Sequence, residues 1–381
     1  NDRCLGTCRW SATISTSSLV AIARKDGTKM DLDWELLRRL CEAPGIPGHE
    51  ERIAGVVRAA LQPLVDEFHV DAMGNLIGRR RGRSDRRVML AAHMDEIGFL
   101  VRHIDEQGFL RLQPVGGFDA RVLVAQRVHV WPRTGDPLLG ALQLATKPIH
   151  LLAQEERKAP TMEDLYVDLG LPADEVRARV EIGDMVTLGR DFARLGPTVL
   201  SKALDDRVGL FVMLESLRHL EHHEADIVAV ATVQEEVGLR GAQTAAFGLE
   251  PHVGIALDVT IAGDVPGIDP KDRVTSLGAG VALKVFDTSH LPSRPLLQHL
   301  REIAEREGIR YQLEVLPRGG TDAGALQRAR AGIPVVTLSI PTRHVHTVNE
   351  MAHIEDIAAA VQLLTRYLAE AHERSYHPYA W

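Results

Sequence analysis

Ala231-Thr232-Val233-Gln234-Glu235-Glu236-Val237-Gly238 decides how this chain reads. Small and β-branched residues running into two acids predict a buried strand that delivers carboxylates to its C-terminal end. In open α/β sheets that end is where ligands bind. Two adjacent buried acids repel each other and lose hydration unless a cation lies between them. One can then hold a metal while the other moves a proton.

The same pattern recurs on both sides of this stretch. The apolar run Arg87–Ala92 leads into His93-Met94-Asp95, and Val253–Leu257 leads into Asp258. Strand alternation puts residues 93 and 95 on one side, so Asp95 is expected to orient His93 as a carboxylate partner of a metal-bound imidazole. Asp205-Asp206 lies in Ser-Lys-Ala-Leu-Asp-Asp-Arg. Its plain reading is a helix N-cap with a first-turn acid. A carboxylate at a helix start can also bridge two cations. Asp264 rivals Asp258, and its plain role is a turn before Val265-Pro266-Gly267. His344 and His346 share Pro-Thr-Arg-His-Val-His-Thr, and spacing does not choose between them. Two histidines among several carboxylates suit zinc, cobalt or manganese rather than a thiolate site. A shared carboxylate suggests two ions about 3.5–4 Å apart.

Around these points the chain alternates. Helical spacing covers 31–42, a second helix covers about 49–66, and short strands lead to Ala92. From about 97 to 190 short strand-like runs are separated by Gly, Pro and Asp, with 161–181 partly helical. This is the pattern of a small β-barrel or sandwich. Helices and strands then alternate again: helices 206–222, 294–307, 322–331 and 354–373, and strands 226–233, 253–257, 311–315 and 334–339. The expectation is an α/β domain (30–96 and 191–381) interrupted by a β-rich insertion (97–190). The two halves of one site flank that insertion.

The bulk numbers remove other classes. The 381 residues carry a formal net charge of −8, and 45% are hydrophobic. The acidic balance argues against a nucleic-acid binder, and no apolar run reaches the roughly 18 residues of a membrane span. Arg79-Arg80-Arg81-Gly82-Arg83 is a basic cluster whose plain reading is a solvated hairpin turn. Cys4, Cys8 and Cys41 make no disulfide framework, and the cytoplasm is the expected location. Residues 1–29 lack periodicity and precede Met30-Asp31-Leu32, which reads like a start. They are taken as a disordered tail or a non-native leader.

The segments AHMDEIGF (92–99), KALDDRVG (202–209), VQEEVGLRGA (233–242), ALDVTIAGDVPG (256–267), GGTDAGALQ (319–327) and IPTRHVHT (340–347) resemble the TET-type dinuclear metallo-aminopeptidases. This is peptidase family M-forty-two, some of whose members carry endoglucanase labels. The resemblance spans about 31–375. It implies a three-layer α/β/α zinc-peptidase fold (phosphorylase/hydrolase-like) with a PDZ-like dimerisation barrel inserted at 97–190. It implies one ion on His93, Asp205 and Asp258, and a second on Asp205, Glu236 and His346. Glu235 would be the general base, Asp95 the partner of His93, and the Asp205–Asp206 peptide bond cis. The implied reaction releases N-terminal residues from short peptides by a metal-activated water. The implied cofactors are two divalent ions per subunit (zinc, cobalt or manganese), and the implied assembly is dimers forming a tetrahedral dodecamer. The last motif departs from the family's usual Arg-Tyr-Ile-His-Ser-like run, because His344 stands where an aromatic is common.

Other readings are a related di-zinc deacylase or carboxypeptidase, a glycosidase, and a catalytically silent scaffold. Strand alternation at Glu235 and Glu236 would point the two acids apart. A glycosidase would also leave the histidines without a role.

Overall fold

The computed structural model describes residues 22–23, 29–156 and 158–379. Most of the 1–29 leader, with Cys4 and Cys8, lies outside the described residues. Strand Ile22–Ala23 pairs with Lys29–Met30 at the edge of that region.

Four parallel strands form the centre of a large mixed sheet, in the order Val335–Arg343, Val253–Ile261, Arg87–His93 and Asp226–Thr232. Their near-continuous apolar content follows from burial on both faces. Val88, Leu90 and Ala92 enter one hydrophobic cluster, with helices Trp34–Glu42, Leu204–Arg218, Arg294–Glu307 and Ile354–Glu370. Met89 and Ala91 point the other way, into a cluster with Arg240–Leu249 and Asp322–Gln327. Antiparallel strands flank the parallel core at both edges.

Between His93 and Asp205 the chain leaves the sheet and forms a closed six-stranded antiparallel barrel. Its order is Leu165–Asp168, Leu110–Val115, Gly98–Ile104, Met185–Leu188, Arg127–Trp131 and Leu138–Leu144, which returns to the first. Phe99, Val101, Val128, Val130, Leu142, Val167 and Val186 fill it. Val348, from the loop after His346, packs into the same cluster and ties the barrel to the sheet.

Residues 161–181 are partly helical, as expected, with a 3₁₀ turn at Met162–Asp164 and the helix Ala173–Arg179, and between them Leu165–Asp168 is the strand that closes the barrel. Other local expectations change. The helix expected at 322–331 ends at Gln327, ahead of Arg330 at φ +54° and Gly332 at φ +98°. The basic run is a solvated turn only in its second half, where Arg81 and Arg83 are exposed, while Arg79 and Arg80 lie on the strand Leu76–Arg80. Arg79 bonds Asp226 at 3.0 Å, and Arg80 donates to the Leu217 and Leu220 carbonyls at 2.9 Å, capping the end of Leu204–Arg218. No helix among the described residues is long and apolar enough to cross a membrane.

Candidate metal centre

His93 ends one central strand, and Asp258 lies in its parallel neighbour. Glu235 and Glu236 follow the other neighbour, which ends at Thr232. His346 follows Val335–Arg343, and Asp205 begins the helix Leu204–Arg218. The crevice at the carboxyl end of the parallel strands thus collects residues from distant parts of the chain.

Both histidines are held in the same way. His93 donates from Nδ1 to the Asp95 carbonyl at 2.9 Å, and its Nε2 faces Asp205 Oδ1 at 3.1 Å. His346 donates from Nδ1 to the Gly117 carbonyl, on the barrel, at 2.8 Å. Its Nε2 faces Glu236 Oε1 at 3.2 Å and Asp205 Oδ2 at 3.4 Å. A backbone carbonyl on one ring nitrogen fixes the tautomer and aims the other at a ligand. Asp205 places one carboxylate oxygen before each imidazole.

The two acids of the Asp205-Asp206 pair divide the roles that the sequence leaves open. Asp206 Oδ1 accepts from Gly209 N at 3.0 Å, so Asp206 caps the helix, and its Oδ2 accepts from His93 N at 3.2 Å. A Cβ at Gly209 would lie 2.3 Å from Asp206 Oδ1, so only glycine lets this cap close. Asp205, just outside the regular helix, keeps its side chain in the crevice. The peptide bond between the two is cis.

The Glu235-Glu236 segment is a loop with Gln234 at φ +57°, so strand alternation does not govern it. The expected divergence of the two acids is therefore corrected. Ligand atoms of Glu235, Glu236 and His93 fall within 4.8 Å of one another. Four successive backbone N–H groups of this loop are each held by a side chain. Val233 N bonds Asn75 at 3.1 Å, Gln234 N bonds Glu50 at 3.2 Å, and Glu235 N and Glu236 N bond the two oxygens of Asp95 at 3.1 Å each. Asp95 thus differs from its expected role. It orients His93 through its carbonyl, while its carboxylate lies 3.8 Å from the ring and anchors the acid-bearing loop instead.

Nothing in the sequence singles out Glu350. It is buried, accepting from Asp205 N at 3.0 Å and His346 N at 2.7 Å. Two expected rivals fall away. Asp264 pairs with Arg343 at 2.6 Å, and exposed His344 is in no metal-capable group among the described residues.

Charge in the crevice is unbalanced. Burial pushes the Glu235, Glu236 and Asp258 carboxyls up, and neighbouring carboxylates add to the push. Burial opposes protonation of His346, but Asp205 and Glu236 outweigh it and raise the ring to about 12. Burial likewise opposes protonation of His93, and Asp205, Glu235 and Asp95 outweigh it. Burial would raise Asp205 too, but both imidazoles hold it below the usual carboxylate range. Oxygen and imidazole donors packed this way match the chemistry of divalent transition-metal sites. Among the described residues, the groups that could hold an ion are His93–Asp206–Asp258, Asp205–Glu236–His346 and His93–Glu235–Glu236. Beside them opens a cleft of about 540 Å³, within the range of small-ligand sites.

Residues 74–363 match the family described as M42 glutamyl aminopeptidase. The lysyl aminopeptidase of Pyrococcus furiosus is 36% identical over 355 residues, covering 91% of this chain and 100% of that protein. Among solved structures, an aminopeptidase from the archaeon Desulfurococcus kamchatkensis superposes with a TM-score of 0.85 at 39% identity, covering 89% of this chain and 96% of that one. The Pyrococcus horikoshii TET1 peptidase, described as assembling into a tetrahedron or a large octahedral shell, gives 0.79 at 33%, covering 88% and 99%. With a family match over most of its length and relatives this similar across nearly all of it, the chain belongs to the M42 glutamyl aminopeptidase family.

Proposed function

We propose that this chain is a dinuclear metallo-aminopeptidase that releases N-terminal residues from short peptides. The observation that carries the reading is the paired arrangement of His93 and His346. Each has Nδ1 on a backbone carbonyl and Nε2 on one oxygen of Asp205.

His93, Asp205 and Asp258 would hold one ion, and Asp205, Glu236 and His346 the other. Asp206 also lies within reach of His93 and Asp258. Asp205 is the better bridge, because both oxygens of Asp206 already accept backbone N–H groups. Bound there, two zinc, cobalt or manganese ions would polarise the scissile carbonyl and acidify the attacking water. Glu235 is the remaining acid facing the cleft. Its carboxylate would take the proton of the attacking water and pass it to the leaving amine. Burial raises its proton affinity, which suits a group that must both accept and return a proton. Asp95 would act as a positioning residue, fixing the backbone that carries both Glu235 and Glu236.

The barrel region (97–190) would be the inserted PDZ-like dimerisation domain. Residues 30–96 and 191–381 would form the three-layer catalytic domain. Homodimers would assemble further, as the TET1 peptidase does, and the enzyme would work in the cytoplasm.

The test is hydrolysis of Leu-, Glu-, Lys- and Met-headed peptides, each with a free or acetylated amine, by metal-reconstituted protein. Cleavage of free-amine peptides alone, abolished by chelator, is expected. Cleavage of acetylated peptides would favour a deacylase. Metal binding with no turnover would favour a silent scaffold.

A further inference from the structure

We infer that the buried Glu96–Lys202 ion pair is a positioning element of the metal centre, holding the barrel against the sheet so that the second ion finds His346 in place. The inference rests on the dinuclear reading above and adds two residues that are not among its proposed ligands.

The pair sits at the neck, where the chain enters and leaves the barrel. Glu96 lies three residues after His93 and just before the barrel strand Gly98–Ile104. Lys202 lies three residues before Asp205 and directly after Thr198–Ser201, a strand of the large sheet that follows the barrel. The Lys202 ammonium donates to both Glu96 oxygens, at 2.7 and 2.6 Å, and both side chains are buried. A second buried cation, Arg207, stands off at 3.7 Å from Glu96 and directs its donors to the Ala43 and Gly45 carbonyls, at 2.7 and 3.3 Å. Lys202 is therefore the cation that grips Glu96 directly.

The two ion sites depend on the barrel differently. His93 and Asp258 lie on neighbouring parallel strands, and His93 Nδ1 is held by the Asp95 carbonyl, on its own segment. His346 takes its orientation from the Gly117 carbonyl, on the barrel. Lys202 reaches the same region from the other side. Its neighbour Ser201 pairs in register with Glu350, which holds the backbone amides of Asp205 and His346. Glu96 and Lys202 also line one small cavity with Asp205, Glu236, His346 and Glu350. If the neck opens, Gly117 moves relative to Asp205 and Glu236, and the imidazole loses the group that aims it. Loss of such an outer partner weakens metal binding by about 10–100-fold.

Stability alone does not explain the pair, because a buried ion pair is often replaced by uncharged residues without loss. A purely electrostatic role has its own signature. Lys202 repels a nearby divalent ion and Glu96 attracts it. Removing either one alone would then shift affinity in opposite directions, and removing both would leave it unchanged.

The experiment titrates zinc into metal-stripped wild type, Glu96→Gln, Lys202→Met and the double variant by calorimetry, with a thermal melt of each metal-free form. The double variant keeps the net charge of the cluster. It is expected to fold, to bind one equivalent nearly as wild type does and to bind the other about tenfold more weakly. In a His346→Ala background, the double substitution should leave the remaining equivalent nearly unchanged. A folded double variant that binds both ions like wild type, or that weakens both equally, overturns the inference. Single variants that shift affinity in opposite directions while the double variant does not shift overturn it too. Should the double variant fail to fold, Glu96→Gln alone decides by the same split between equivalents, since its amide oxygen can still accept from Lys202. A wild type that takes up no zinc overturns the dinuclear reading itself.

Discussion

Glu350 offers the sharpest test of how the centre is held. It is buried, and its two oxygens accept from Asp205 N at 3.0 Å and His346 N at 2.7 Å. These are the backbone amides of the two residues proposed to share the second ion. Glu350→Gln keeps the volume but leaves one acceptor oxygen. The new side-chain amide brings N–H donors to face a backbone N–H, so one buried donor goes unsatisfied. That costs about 1–3 kcal/mol. At about 1.4 kcal/mol per tenfold, the weakening lies near five- to 150-fold, overlapping the usual effect of removing a group that holds a metal ligand. Calorimetric titration of metal-stripped protein would measure it, with a thermal melt of the metal-free form alongside. The expected pattern is a larger loss at one metal equivalent than at the other, because Glu350 holds two proposed ligands of the second ion, Asp205 and His346, and only Asp205 of the first. Two unchanged equivalents in a folded Glu350→Gln variant would refute the idea that Glu350 organises the site. Equal weakening of both would place its effect on the bridge Asp205 alone.

Three further outcomes follow from the same geometry. Glu235→Ala should retain both metal equivalents yet lose about 10²–10⁴-fold in kcat, and near-normal turnover would remove Glu235 as the proton carrier. Asp95→Asn leaves a single acceptor for Glu235 N and Glu236 N, so kcat should fall by about 10–100-fold with KM little changed, measured by steady-state kinetics on one peptide. In metal-free protein, burial raises Glu350 from 4.5 to about 8 and Asp322 from 3.8 to about 6, and the surrounding carboxylates raise His346 from 6.5 to about 12 against burial. A raised folded-state pKa gives stability that is complete below the unfolded value and lost as pH climbs through the folded one. Asp205 has the opposite sign, but its contribution is already complete above its unfolded value of 3.8. Metal-free melting temperature should therefore fall from about pH 5 to pH 9, with saturating divalent ion flattening the slope. A metal-free melting temperature that rises across that range would contradict the charge balance described for the crevice.

Much of the architecture is legible because burial on both faces leaves an unmistakable trace. Arg87–His93, Asp226–Thr232 and Val253–Ile261 are apolar almost throughout, and each reads as a strand. The elements that the sequence hides share a physical cause, since local composition there runs against the structure that tertiary contacts impose. Helix Arg240–Leu249 contains two glycines and three alanines and has weak intrinsic propensity. It forms because Ala242, Ala245 and Ala246 lie flat against the sheet. Strand Val281–Phe286 is interrupted by a lysine, which reads as a solvent-facing position. Lys284 is fully buried, 2.7 Å from Glu314 on the paired strand. Leu165–Asp168 is short enough that only its partners Leu138–Leu144 and Leu110–Val115 identify it.

At the site, the residues with chemistry to offer are legible, and those that hold the backbone are not. An acid or imidazole at the end of an apolar strand stands out because its burial needs a reason. Asn75, Glu50 and Glu350 carry no such mark, since each sits amid ordinary sequence and becomes informative only when its hydrogen bonds are known. Asn75 shows how far the dependence reaches. It accepts from Val233 N, donates to the Gly241 carbonyl at 3.1 Å, and leaves no room for a Cβ at Gly241, which would fall 2.3 Å from its Oδ1. The glycine of the Gly238-Leu239-Arg240-Gly241 turn is therefore required by a residue far earlier in the chain. Such partners occupy the backbone N–H groups of Val233 to Glu236, so those amides make no claim on the carboxylates of Glu235 and Glu236. The centre has its reach because its frame is saturated: each proposed ligand is free to meet an ion only where some other side chain or carbonyl has already met its backbone or its second ring nitrogen.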